Sequence, residues 1–279
     1  MPENGILYIV ATPIGNLNDL SPRAKEVLSS VDAILCEDTR HSSTLFSAFG
    51  IKKPLLAYHD HNERNIAQNI IAQLQEGKNL ALVSDAGTPL ISDPGYYLTS
   101  LCHEHNIKVS PIPGSCAFVA ALSASGMPSD SFTFYGFLPA KSKQRQEKLE
   151  QIKQSEATAI FYESTHRIKD TLADIITVLG QERKICLARE LTKQFETIVT
   201  TSAQGIKEYL ESNSDHCRGE FVLIIQGCSQ KQEASLTPEI ENLIKELASE
   251  LPPKKVAKIV ANCFKLDKKE IYNYLISQK

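Results

Sequence analysis

Residues 80–95 read LALVSDAGTPLISDPG, and the fold turns on how they are read. Leu80, Ala81, Leu82 and Val83 form an unbroken apolar run, the pattern of a short strand buried on both faces. The run passes straight into Ser84-Asp85-Ala86-Gly87-Thr88-Pro89, a turn-rich segment holding one acid. Ser92-Asp93-Pro94-Gly95 is a second turn signal and predicts a helix after it. Open α/β sheets take small ligands at the carboxyl ends of their strands. A glycine there lets the backbone approach a ligand, and an acid accepts from ribose hydroxyls or an amino group. The same residues also suit an ordinary strand–turn–helix junction, where Asp and Gly are common.

Upstream, Ile6–Ala11, Ala33–Cys36 and Leu55–Tyr58 read as strands. Between them Ser21 is placed to cap a helix with Pro22 at its first position. A short helix carrying Leu45, Phe46 and Phe49 stops at Gly50. Another, from Glu63 to Glu76, has Ile66, Ile70, Ile71 and Leu74 at helical spacing. Downstream, Ile107–Ile112 is a strand, and Ser115 is placed to cap a helix over Cys116–Ser125. Strand alternating with helix predicts a largely parallel, doubly wound α/β domain over residues 1–125.

Residues 126–228 read as a second α/β domain with more antiparallel pairing. Its strands are Ser131–Phe137, Ala157–Tyr162, Lys184–Arg189, Phe195–Thr200 and Glu220–Gln226, the third and fourth joined as a hairpin across Glu190–Gln194. Lys141–Lys153 is polar and basic, and Arg167–Leu179 is an amphipathic helix. Ser229–Leu236 reads as a linker. Residues 235–279 then form a small all-α domain of three helices, the first starting at Thr237-Pro238. Asp267 and Glu270 have capping-box spacing at the third helix, and the last two resemble a helix-turn-helix. A plain packing bundle fits that pattern as well.

Among 279 residues, 42% are hydrophobic and 23% charged, ordinary for a globular protein. Apolar runs fall short of the ~18 residues of a membrane span, and the N-terminus lacks the basic and cleavage-site signals of a secretory leader. Seven cysteines without CxxC spacing predict free thiols, no structural metal and a reducing, cytoplasmic setting. The net charge of −3 is uneven: residues 254–279 carry +5 and the rest about −8. A basic tail on an acidic body suits a polyanionic partner, and equally a solvated helix face.

Several segments together resemble the tetrapyrrole methylase superfamily of S-adenosyl-L-methionine-dependent methyltransferases. They are Leu7–Leu20, Glu37–Ser42 (EDTRHS), Val83–Gly95, Pro111–Ser115, Phe161–Arg167 (FYESTHR), Ala188–Lys193 (ARELTK) and Gly219–Leu223. Their order is closest to the branch that methylates a cytidine ribose 2′-hydroxyl in small-subunit ribosomal RNA, a branch that carries a small helix-turn-helix domain. The resemblance implies two α/β domains with a cofactor cleft between them, and a homodimer. It places Pro13, Asp85, Thr88, Ser115, Cys116 and Tyr162 around the cofactor. The glycine-aspartate-proline turn of the porphyrin-modifying branch is here Ser84-Asp85-Ala86, which weakens a tetrapyrrole acceptor more than it weakens the cofactor.

A ribose hydroxyl attacks well only as its proton leaves, so a general base is expected. Asp38, His41, Glu163, Glu190 and Lys193 all stand near strand ends, and the sequence does not choose among them. Arg40, Arg167, Arg189 and Lys193 are the cations placed to hold RNA phosphates, with the Lys141–Lys153 segment and the tail, including Lys268 and Lys269, adding affinity. Two other readings stay open: an enzyme of the same superfamily acting on a tetrapyrrole precursor or protein side chain, and a non-catalytic RNA-binding assembly protein.

Overall fold

The structure is a computed structural model and describes residues 4–228, 238–264 and 266–277. The chain divides into two compact units, Met1–Gly227 and Cys228–Lys279. The linker read at Ser229–Leu236, the start at Thr237 and the turn residue Lys265 lie outside the described residues.

The first unit opens with five strands: β1 (Ile6–Val10), β2 (Ala33–Cys36), β3 (Leu55–Ala57), β4 (Leu80–Leu82) and β5 (Lys108–Ile112). They pair in parallel in the order β3-β2-β4-β1-β5. Four helices connect them: α1 (Pro22–Ser30), α2 (Thr39–Ala48), α3 (Glu63–Gln75) and α4 (Tyr96–Glu104). Ser21 caps α1 by accepting from the Ala24 N–H at 3.1 Å, with Pro22 behind it. Strand residues alternate between two cores, which is why the β4 run is apolar throughout. Leu80 and Leu82 pack with Ala67, Ile70 and Leu98 of α3 and α4. Ala81 and Val83 pack with Ala24, Leu28 and Phe46 of α1 and α2. The sheet is therefore covered on both faces, as a doubly wound fold requires.

The second sheet holds β6 (Phe132–Phe137), β7 (Thr158–Ser164), β8 (Lys184–Arg189), β9 (Thr197–Ser202) and β10 (Glu220–Ile225), in the order β6-β7-β10-β8-β9. Only β6 and β7 run parallel; the other pairs are antiparallel. The hairpin of β8 and β9 is present, with its loop at residues 190–196. Helices α6 (Ser142–Ile152), α7 (Ile168–Leu179) and α8 (Ala203–Ser212) cover one face. Helix α8 has no counterpart in the sequence reading.

The other face is covered by α5 (Ala117–Ser125), whose Ala121 and Leu122 pack on Ile160, Val222 and Ile224. This helix ends the first half of the sequence yet builds the core of the second sheet. At its start the structure corrects the expected cap: Cys116, not Ser115, stands at the N-cap. Ser115 contributes its carbonyl oxygen instead, which accepts from Thr88 Oγ1 at 2.9 Å.

The second unit consists of α9 (Pro238–Glu250), α10 (Pro253–Phe264) and α11 (Lys268–Ser277), around a core of Ile244, Val256, Val260 and Ile271. Asp267 caps α11, accepting from the N–H groups of Lys269 and Glu270 at 2.7 and 3.0 Å. Among the described residues no helix is long and apolar enough to cross a membrane.

Candidate active site

The loops that follow β1, β2, β4 and β5 are stitched together at the carboxyl edge of the first sheet. Thr12 and Gly87 exchange backbone hydrogen bonds at 2.8 and 3.1 Å, joining the loops after β1 and β4. The Asp38 N–H donates to Asp85 Oδ1 at 3.3 Å, joining the loops after β2 and β4. Thr88 reaches the turn after β5 through Ser115. The segment 84–95 is thus the hub of this edge. Its backbone is left-handed at Leu90 (φ 70°) and Ser92 (φ 66°), conformations costly for side-chain-bearing residues and often found at functional sites.

The second sheet faces this edge. The β8–β9 loop is left-handed at Glu190 and Thr192, and the Asn16 N–H donates to Thr192 Oγ1 at 3.1 Å. Gly15 lies against the same loop so closely that a Cβ there would stand 2.5 Å from Lys193 Cγ. Glycine at this position lets the two halves meet. A cleft of about 590 Å³ remains between them. Its walls include Glu37, Asp85, Thr88 and Asp93 from the first half, Cys116 at the start of α5, and Phe137, Tyr162, Glu163 and Glu220 from the second.

Asp85, Thr88, Cys116 and Tyr162 therefore come together in one cleft. Pro13 is buried in the β1 loop, and neither it nor Ser115 is among the lining residues. Burial pushes the Cys116 thiol up, and likewise the Tyr162 hydroxyl, so both stay protonated at neutral pH.

The expected bases are placed differently from the sequence reading. Glu163 has no solvent-exposed side-chain surface. Its Oε1 accepts from Arg167 Nε at 3.0 Å and from the Ser164 N–H at 2.7 Å, and its Oε2 from Thr171 Oγ1 at 2.7 Å. These partners, with no exposed side-chain surface, hold Glu163 as a buried structural carboxylate. Lys193 Nζ donates to Glu190 at 2.9 Å and Glu220 at 2.8 Å. Burial pulls its pKa down, but the two carboxylates outweigh that and raise it, so it holds its proton. Burial pushes Glu190 up, but the Glu220 N–H and the Lys193 ammonium outweigh it, and the carboxyl ends lowered. The Arg40 guanidinium holds Asp38 down at about 2. His41 is exposed on α2 and does not line the cleft.

The RNA-facing cations are corrected too. Arg189 is only 9% exposed and its Nε donates to the Arg218 carbonyl at 2.6 Å, which ties it into the fold. Arg167 is held by Glu163 and Ser164. Arg40 is open, with its side chain 90% exposed, and Lys268 and Lys269 are exposed at the start of α11.

Among the lining residues that escaped the sequence reading are Glu37, Asp93 and Phe137. Glu37 and Asp93 stand in quoted motifs but read as loop and turn residues. Burial raises Asp93 to about 6; a hydrogen bond from Ser84 works against the rise, and the charges of Glu37, Asp85 and Asp60 add to it. Burial also raises Glu37, helped by Asp85 and Asp60. No lysine or arginine lines the cleft.

Two α/β halves joined at a cleft of this kind, with a loop edge stitched at the sheet's carboxyl end, define a small-ligand enzyme rather than a scaffold. The chain belongs to the tetrapyrrole (corrin/porphyrin) methylases, which its residues 6–207 match, and it is a methyltransferase. Residues 234–279 match the RsmI C-terminal HTH domain. It is 52% identical to ribosomal RNA small subunit methyltransferase I of Pasteurella multocida, over 97% of this chain and 96% of that one. With the same-named protein of Escherichia coli O157:H7 it shares 50%, over 99% and 96%. In fold it is similar to uroporphyrin-III-C-methyltransferase from Thermus thermophilus (TM-score 0.55, 18% identity, covering 89% and 99%). Diphthine synthase is similar at TM-score 0.59 and 11% identity, covering 80% and 90%.

Proposed function

We propose that this chain transfers the methyl group of S-adenosyl-L-methionine to a cytidine ribose 2′-hydroxyl of small-subunit ribosomal RNA, as a homodimer in the cytoplasm. The observation that carries the reading is the charge of the cleft. Glu37, Asp85 and Asp93 line it and no lysine or arginine does. Such walls suit a ligand bearing a sulfonium and an ammonium. The relatives' near full-length identity, together with their name, directs the acceptor to small-subunit RNA.

The bound cofactor supplies an electrophilic methyl group. Asp85 and Thr88 of the β4 loop would hold it, with Cys116 beside Thr88 and Tyr162 from the second sheet, while Pro13 and Ser115 shape the loops behind them. The Glu190–Lys193–Glu220 set positions the β8–β9 loop, and Glu163 positions Arg167 and the end of β7. Asp93 takes the proton from the acceptor hydroxyl. It lines the cleft, is not ion-paired among the described residues, and has a pKa near the working pH. Arg40, Lys268 and Lys269 contribute sequence-independent affinity for RNA.

The test is transfer of labelled methyl from S-adenosyl-L-methionine to free small-subunit RNA and to assembled subunits, followed by nucleoside analysis. The expected product is 2′-O-methylcytidine. Label on a base atom overturns the ribose acceptor. Absence of label with the cofactor bound overturns the RNA acceptor. A monomer mass in solution at micromolar concentration overturns the homodimer.

A further inference from the structure

We infer that Phe137 is a stacking platform in the cleft for the base of the acceptor nucleotide. The inference deepens the function proposed above and rests on it for the identity of the acceptor.

Side chains along β6 alternate between faces. Phe134 points to the α5 side, stacked on Phe118 at 4.5 Å and edge-on to Tyr162 at 4.9 Å. Tyr135 points the other way, stacked on Phe161 at 5.2 Å in the core under α6 and α7. Unbroken alternation would send Phe137 to that core as well. The pairing with β7 shows why it does not go there. Phe134 lies opposite Ile160 and Phe137 opposite Tyr162, so three steps on β6 match two on β7. One extra residue has been inserted, a β-bulge, and a bulge re-aims the side chains beyond it. Gly136 carries it at φ +67°, a conformation that an L side chain rarely adopts.

The result is a ring on the cleft side, edge-on to Tyr162 at 5.7 Å and lining the cleft. It is 55% exposed, whereas Tyr162 beneath it and Leu138 after it are covered to a greater degree. The bulge also touches the catalytic loop: a Cβ on Gly136 would stand 3.2 Å from Ser92 Oγ, one residue from Asp93. An apolar strand residue has been turned out of a core and left with an open face beside the proposed proton acceptor. Unpaired RNA bases are bound by stacking on such aromatic faces. Cofactor adenine offers a similar plane. The greater exposure of Phe137, compared with Asp85, Thr88, Cys116 and Tyr162, favours the ligand that arrives from solvent.

The experiment compares Phe137→Leu, Phe137→Trp and the parent protein. Leucine keeps the apolar volume and removes the π face; tryptophan restores it. The readouts are affinity for S-adenosyl-L-methionine by calorimetry, affinity for a single-stranded RNA of the acceptor region with S-adenosylhomocysteine present, steady-state methyl transfer, and mass in solution. Phe137→Leu is expected to keep cofactor affinity within about threefold and keep its mass. It should lose about five- to a hundredfold in RNA affinity and raise KM more than it lowers kcat. Phe137→Trp should restore both. Equal loss of cofactor affinity assigns the ring to adenine and overturns the proposal. So does a change of oligomeric state, which assigns it to a subunit interface, and so does unaltered RNA affinity. A parent protein that binds RNA through this ring yet leaves small-subunit RNA unmethylated overturns the acceptor and supports the platform.

Discussion

Asp93 illustrates how a single side chain trades stability for function. Its ionised form is disfavoured in the folded protein, where the pKa is about 6, against about 3.9 in an unfolded chain. The native state therefore holds this proton more tightly than the unfolded state. Asp93 weakens folding as pH rises from about 4 through 6, and the protein regains that stability on acidification back through 6 toward 4. Asp93→Asn is expected to raise the melting temperature of the protein without cofactor at pH 7 and to flatten its dependence on pH between 5 and 7. The same variant should lose about 10²- to 10⁴-fold in kcat. In the parent, kcat/KM should fall tenfold per unit below pH ~6, a limb the variant lacks. Scanning calorimetry and single-turnover rates across this range check both; a variant with the parental rate removes Asp93 from the chemistry. Asp85→Ala, by contrast, should abolish cofactor binding without unfolding the chain, which calorimetry reads directly. Residue types at strand ends pointed to this region without distinguishing the acids in it. Glu163 and Asp93 are both acids beside the cleft, and only their surroundings separate a saturated ion pair from an open carboxylate.

At the scale of the element, helices α6 and α7 over the second sheet are joined by a buried ion pair. Arg145 on α6 donates to Asp174 on α7 at 2.6 Å, and both side chains are almost fully buried. Ser142 and Gln146 donate to the same carboxylate. Arg145→Ala strands a buried charge and is expected to cost about 3–5 kcal/mol. Lys153→Ala, which breaks the exposed pair with Glu150, should cost no more than about 0.5 kcal/mol. Denaturant unfolding of the two variants compares them, and equal losses would show that the α6–α7 pair is not structural. Burial pushes Asp174 up, but the bonds from Gln146, Ser142 and Arg145 outweigh it, leaving the carboxyl lowered. Its contribution is thus complete above the ordinary Asp range near ~3.9 and is lost as pH falls below it. The strands and most helices were legible because their apolar spacing is local. The bulge in β6 was announced only by an isolated Gly136, and the side on which Phe137 falls depends on pairing with β7. Helix α5 reads as the end of the first half because its packing partners lie 35 to 100 residues further on.

On the scale of the whole molecule, the two units have separate cores. Four clusters of buried residues lie in the first unit, and one of Ile244, Val256, Val260 and Ile271 lies in the second. Deleting Ser235–Lys279 is expected to leave cofactor affinity unchanged. It should weaken RNA binding and reduce its salt dependence, since Lys268 and Lys269 leave with the helices. Filter binding across a range of salt concentrations, with calorimetry of the cofactor, checks this; undiminished RNA affinity would remove the tail from recognition. The order of the strands and most of the helices, the parallel first sheet, the helical tail and the family itself were determined by the sequence alone. Each is written in periodicity, turn residues and motifs that need no distant partner. The tertiary structure alone decided which acid is open, which arginine is spent, and which aromatic ring faces the cleft. Charge, burial and strand parity at those positions are set by neighbours that the chain brings together only on folding.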